Sequence, residues 1–198
     1  MTTNRYFGTD GIRGTYGTEP MTPGFVYRLG LATGRVLAAE RTTTPICVIG
    51  RDTRVSGPAL QRALATGLRE SGVRVMDLGI MPTPGIAYLT RFIGAAAGAV
   101  ISASHNPASE NGIKILNAEG MKITTDQEHA IESNLELIPS SDRAFEDECL
   151  GENAPTMFEV YLQDILESVP GLTLEGLKIV LDCSNGAAYK AAPEIFKR

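Results

Sequence analysis

Apolar positions along the chain follow two periods, one that suits strands and one that suits helices. From Phe25 onward, Val26, Leu29, Val36 and Leu37 recur near one helical face. Thr22-Pro23 stands at the head of this stretch, a hydroxyl for the cap and a proline for the first turn. Pro45 to Gly50 is instead a short apolar run with β-branched residues, the pattern of a strand buried on both faces. The alternation then repeats. Ser56-Gly57-Pro58 opens a helix with Leu60, Ala63, Leu64 and Leu68 at helical spacing, and Gly72 stands where a C-terminal cap belongs. Val73 to Leu78 reads as a strand, Pro82-Thr83-Pro84 precedes a helix to about Phe92, and Ala97 to Ser102 reads as a third strand. Asn111-Gly112 signals a turn, with a further strand from Gly112 to Leu116. Thr124 or Thr125 caps a helix with Asp126 and Glu128 in its first turn, where the helix dipole favours acids. Two or three αβ units closed by another strand predict a layered α/β domain with a mainly parallel sheet.

Past Pro139 the periodicity fades. The stretch to Pro155 (PSSDRAFEDECLGENAP) gains acids and reads as a solvated loop or a linker. A helix from Met157 to Val169 follows, then a strand from Lys178 to Cys183. After the turn Ser184-Asn185-Gly186, a helix starting near Ala187 is still running at Arg198. One strand and an unfinished helix cannot bury their own apolar faces. The expected organisation is therefore one domain over 1–155 and the incomplete start of a second over 156–198, within a longer protein.

Charge and composition narrow the function classes. The 198 residues carry 18 Lys and Arg against 23 Asp and Glu, a net charge of -5 that provides no broad basic field for a nucleic-acid backbone. No apolar run is long enough for a membrane span, and the opening MTTNRYFGTD has no signal-peptide core. Cys47, Cys149 and Cys183 are too few and too scattered for a disulfide framework or a C-x-x-C metal pair, so a reducing cytoplasm is the expected setting. The 21 Gly and 11 Pro point to loops that carry function.

Four loops hold the candidate chemistry. Ser102-Ala103-Ser104-His105-Asn106-Pro107 stands at the carboxyl end of a predicted parallel strand, the edge at which open α/β sheets bind ligands. Its residues also suit a plain polar turn. No G-x-S-x-G is present, and two His, 105 and an exposed-helix 129, supply no hydrolase triad. Phe7 to Gly14 (FGTDGIRG) combines three Gly with Arg13, a planar fork for a phosphate, or forms a simple Gly-rich hairpin. Gly50 to Gly57 (GRDTRVSG) reads first as an Asp paired with a flanking Arg and a Ser that caps the next helix. Asn111 to Lys114 (NGIK) reads as a turn followed by a Lys.

Taken together, in order and spacing, these four motifs and the LDCSNGAA segment at 181–188 resemble the α-D-phosphohexomutase superfamily over nearly the whole chain. The resemblance implies a layered α/β/α phosphohexomutase domain I with a mainly parallel mixed sheet, plus the first strand-helix unit of domain II. It implies isomerisation of hexose 6-phosphates and 1-phosphates through a bisphosphorylated sugar. The motifs look most like the branch acting on glucosamine phosphates, a step toward bacterial cell-wall precursors; the mannose and glucose branches are the alternative. A non-catalytic binding module that kept the domain I fold is the rival from another class.

By the same resemblance Ser104 carries the transferable phosphoryl group, with Ser102 as the nearby alternative. The resemblance also implies that Arg13 and Lys114 lie beside the phosphoserine, contact the transferring group and assist proton transfer, and that His105 packs or hydrogen-bonds within its loop. One Mg²⁺ per full-length active site is implied, with a Ser104 phosphate oxygen as its single ligand from this chain, and a sugar bisphosphate is the activator and intermediate. A hexosamine phosphate is the expected substrate, and a homodimer is compatible with the resemblance. The superfamily's metal loop (DGDxDR), sugar-specificity loop (GExSGH) and C-terminal phosphate-binding loop do not occur in these residues.

Overall fold

The computed structural model describes residues 5–39, 43–141, 145 and 152–198. In chain order the elements are β1 (Ile12–Thr15), α1 (Pro23–Ala39), β2 (Ile46–Arg51), α2 (Gly57–Glu70), β3 (Arg74–Ile80), α3 (Thr83–Phe92), β4 (Ala97–Ile101) and β5 (Glu110–Leu116). There follow α4 (Thr125–Glu136), β6 (Glu152–Asn153), α5 (Thr156–Glu167), a 3₁₀ turn (Ala187–Tyr189) and α6 (Ala191–Lys197). The strands form one sheet in the order β1-β5-β4-β2-β3-β6. Strands β4, β2, β3 and β6 are parallel, while β5 and β1 add antiparallel at one edge. The sheet is mixed and mainly parallel, as the apolar runs predict.

Helices cover both faces. On one side Leu29 of α1, Leu64 of α2 and Ile131 of α4 pack with Cys47, Ile49, Ile101 and Ile113 of the strands. On the other, Ile86 and Leu89 of α3 and Leu162 of α5 pack with Val48, Val100 and Leu116. Successive strand residues feed opposite cores, which is why these strands read as continuous apolar runs. Helices α1 and α2 touch backbone to backbone: a Cβ on Gly30 would lie 2.4 Å from the Leu64 carbonyl oxygen, and one on Gly67 would lie 2.2 Å from that of Tyr27. Burial pushes the Cys47 thiol up to about 12, so it behaves as a small apolar side chain.

Most helix starts follow their sequence signals. The Thr22 hydroxyl accepts from the Phe25 N–H at 3.2 Å. Of the two candidate threonines at α4, Thr124 caps, in a reciprocal box with Gln127. Five expectations need correction. Asn111-Gly112 is not a turn but lies inside β5, because Asn111 is fully buried with its amide hydrogen-bonded. The chain reverses instead between Ser102 and Ser109, the β4–β5 connection. Ser56 makes no side-chain cap to α2; its hydroxyl is taken by Asn111. His129 is half-buried rather than exposed, with its Nε2 out of solvent. Lys178 to Cys183 form no strand, since no strand among the described residues pairs with them and Val180 is 92% exposed. The last helix begins as a 3₁₀ turn and becomes α-helical only at Ala191.

The sequence also missed two edge strands, β1 and β6. Most of the acidic stretch 139–155 lies outside the described residues. Helix α5, which the sequence assigns to the second unit, buries Tyr161 and Leu162 against α3 and the sheet. No described helix is long and apolar enough to cross a membrane.

Candidate active site

Parallel strands β2 and β4 are neighbours, so the loops at their carboxyl ends meet. Asp52 to Arg54 leave β2, and Ser102 to Ser109 leave β4. One side chain joins them. Arg54 donates from Nε to Asp52 Oδ2 at 3.0 Å. Its terminal nitrogens donate to the backbone carbonyls of Pro107 (2.6 Å), Glu110 (2.9 Å), Ser104 (3.0 Å) and Asn106 (2.9 Å). A guanidinium has five N–H donors, and all are engaged. Arg54 and Asp52 are only 10% and 11% exposed at their side chains, where such charge-assisted bonds are strong.

The serines divide their roles around this clamp. Ser102 donates to Asp52 Oδ2 at 2.7 Å and accepts from the Ser104 N–H at 3.0 Å, so both sides of its hydroxyl are occupied. Ser104 is exposed and holds φ at 58°, the left-handed region that a non-glycine residue enters only under local constraint. Its hydroxyl lies 3.4 Å from His105 Nδ1. The loop is braced further by Asn106, which donates to Glu110 Oε2 at 2.7 Å. Beneath it, buried Asn111 donates to Ser56 Oγ at 2.9 Å and accepts the Gly112 N–H at 2.8 Å, tying the GRDTRVSG loop to β5.

Arg13 and Lys114 arrive on the antiparallel edge. Ile12 pairs with Ile113, so Arg13 stands opposite Gly112 and one diagonal step from Lys114 on the same face of the sheet. Gly112 leaves room there: a Cβ would meet the Arg13 stem at 3.1 Å and the Ser102 carbonyl oxygen at 2.8 Å. Both cations meet Asp10, Arg13 Nη2 at 2.9 Å from Oδ2 and Lys114 Nζ at 3.9 Å from Oδ1. The Gly-rich segment is anchored at its start by Glu132, which accepts the N–H groups of Arg5, Tyr6 and Phe7 at 2.8, 2.8 and 2.9 Å. Burial raises the Glu132 carboxyl, but these backbone donors outweigh it and hold the group below its ordinary range.

A cleft of ≈ 740 Å³ opens over the serine loop, walled by Asp52, Arg54, Ser104 and His105 on one side and by Ser184 and Asn185 on the other. Thr53 reaches across and donates to the Asn185 carbonyl at 2.5 Å. The non-glycine residues with positive φ among the described residues are Ser104, Ser184 and Asn185, and all three border this cleft. Ser104 and His105 border this cleft, whereas Lys114 and Asp10 line a separate one with Thr9 and Gly11, so the structure brings the predicted site residues together as two groups and not as one. The sequence reading missed two members: Asp10, which stands inside a motif it quoted, and Arg54, read as a plain partner for Asp52.

The donor set does not by itself make a cage for Mg²⁺, which asks for near-octahedral oxygen ligands. Among the described residues no three His, Cys, Asp or Glu side chains converge. Asp52, which lines the cleft with Ser104, is already bonded to Arg54 and Ser102.

Residues 4–141 match the phosphoglucomutase/phosphomannomutase family, α/β/α domain I, and the chain belongs to that family. Its similarity to particular members is high. The phosphoglucosamine mutase of Paraburkholderia phytofirmans is 49% identical over 198 residues, covering 97% of this chain and 44% of the relative. That of Chromohalobacter salexigens is 50% identical over 200 residues, covering 98% and 44%. A solved phosphoglucomutase/phosphomannomutase family protein from Burkholderia thailandensis superposes with a TM-score of 0.78 at 28% identity, over 100% of this chain and 42% of its own. The chain spans under half the length of the curated relatives it matches.

Proposed function

We propose that this chain is the phosphoryl-carrying part of a phosphoglucosamine mutase, interconverting glucosamine 6-phosphate and glucosamine 1-phosphate in the cytoplasm, with residues 1–155 as its first domain and 156–198 as the start of its second. The observation that carries the reading is the contrast between the two serines. Ser102 has its hydroxyl held by Asp52 and by the Ser104 N–H. Ser104 presents its hydroxyl outward on a loop fixed by Arg54. The glucosamine substrate is supported by the names of the relatives that align with nearly the whole chain.

In the proposed reaction the Ser104 phosphate passes to a free hydroxyl of the sugar phosphate. The Ser104 Oγ–P bond breaks, a sugar O–P bond forms, and the proton of the attacking hydroxyl leaves as Ser104 Oγ gains one. Arg13 and Lys114 assist that proton transfer in this reading, while His105, with Nδ1 3.4 Å from Oγ, braces the loop. The sugar bisphosphate then turns, and its other phosphoryl returns to Ser104. Such transfers rest on positioning and charge stabilisation, which Arg13 and Lys114 supply toward the phosphoryl oxygens. Mg²⁺ would add charge neutralisation, its remaining ligands coming from outside these residues.

Peptide mass spectrometry of the full-length protein, after incubation with a sugar bisphosphate, tests the assignment. Phosphate on Ser104, with Ser104→Ala inactive, is expected. Phosphate on Ser102 alone, or an active Ser104→Ala protein, sinks it. Turnover of mannose or glucose phosphates in preference to glucosamine phosphate reassigns the substrate. Absence of any turnover favours the binding module.

A further inference from the structure

Arg13 and Lys114 are like charges one diagonal step apart on adjoining strands, an arrangement that repels unless an anion lies between them. Asp10 is that anion. Its two oxygens face the two cations, Oδ2 to Arg13 and Oδ1 to Lys114, much as two oxygens of a phosphoryl group would. Two further observations set how it is held. The backbone is fixed against β5: Gly11 has φ 85°, and a Cβ there would lie 2.3 Å from the Ile113 carbonyl oxygen. The Asp10 side chain, in contrast, is 56% exposed and has room to rotate. Arg13 also keeps one donor in reserve, since its Nε is shielded from solvent and has no hydrogen-bond partner among the described residues.

We infer that Asp10 is a built-in competitor for the phosphoryl group, a positioning residue that keeps Arg13 and Lys114 together and is displaced from both when phosphoryl oxygens bind them. This rests on the proposed role of those two cations as phosphoryl ligands. Binding at the pair becomes an exchange of one anion for another. The arriving oxygens engage Arg13 through Nε and Nη2 together, and the Asp10 carboxylate swings toward water. A mutase must release the group it has just bound, and an internal competitor limits how tightly the pair can hold it.

The test is a titration of the 198-residue chain with inorganic phosphate, following the backbone amide signals of Gly11, Gly112 and Lys114 by NMR, for wild type, Asp10→Asn, Asp10→Ser and Arg13→Ala. Removing the competing charge should tighten phosphate binding about threefold to tenfold in both Asp10 variants, the range expected of one to two partly exposed ion pairs. Equal or weaker binding by both Asp10 variants, with helix content by circular dichroism unchanged and with Arg13→Ala still reducing binding, overturns the competitor role and leaves the phosphoryl-ligand reading standing. Titrations that are flat for every variant, or indifferent to Arg13→Ala, overturn that reading and the competitor role with it.

Discussion

Arg54 and Glu132 each hold a loop by bonding to its backbone, and each makes a distinct expectation. For Arg54 the planar fork is what matters, because Lys has three donors on one point and cannot reach four carbonyls and a carboxylate. Arg54→Lys should leave the sheet intact while amide exchange in residues 104–110 speeds up by at least about tenfold. In the full-length enzyme kcat should fall by roughly 10² through misplacement of Ser104, with KM little changed. Exchange rates at wild-type level would show that the loop stands without the clamp. For Glu132 the lowered carboxyl fixes the sign. A group depressed on folding contributes stability above its unfolded value, near 4.3, and loses that contribution as pH falls through the folded value. Urea unfolding should therefore find Glu132→Gln less stable than wild type at pH 7, with the gap closing toward pH 3. A gap that is constant with pH would assign the loss to packing.

Among the elements, the α1–α2 contact sets two general tendencies against each other. Gly to Ala inside a helix normally stabilises by about 1 kcal/mol. At Gly67 the added methyl meets the Tyr27 carbonyl oxygen at 2.2 Å, a backbone atom that cannot swing away. Overpacking of this kind costs about 1–3 kcal/mol. Gly67→Ala should therefore lower the melting temperature, and a rise would mean that the helices separate easily. The elements also show what the sequence could convey. Strands β2 and β4 are buried on both faces and declare themselves by composition, while half-buried β3 is read from Val75, Met76 and Leu78. The edge strand β1 (IRGT) is defined only by its ladder to β5, and β6 by its pairing with β3. Lys178 to Cys183 has strand composition, but no strand among the described residues pairs with it, and its large apolar side chains stay exposed. The candidate site divides in the same way. Ser104, Arg13 and Lys114 are legible as motifs, whereas the Arg54 clamp acts on carbonyls, which every residue has and no motif records.

For the whole molecule, the second layer of the sheet is completed late in the chain. Helix α5 covers Ile86 and Leu89 with Leu162, which is fully buried, so its removal opens one face of the core. Burying one leucine is worth about 1.5–3 kcal/mol. A chain cut after residue 171 should melt as one transition, while a chain cut after residue 155 should lose at least about 2 kcal/mol by denaturant unfolding. Equal stability of the two would place α5 wholly in the second unit. The clamp on the serine loop also has a bearing on order in time. Arg54 lies 50 to 56 residues before the carbonyls it holds. Those carbonyls come into position only once β4 has docked beside β2 and β5 has turned back along it. During synthesis, therefore, about 110 residues must clear the ribosome before Ser104 can take up its left-handed backbone. The Ser104 hydroxyl takes its place only after the strands on either side of its loop have paired, although before α5 has been made.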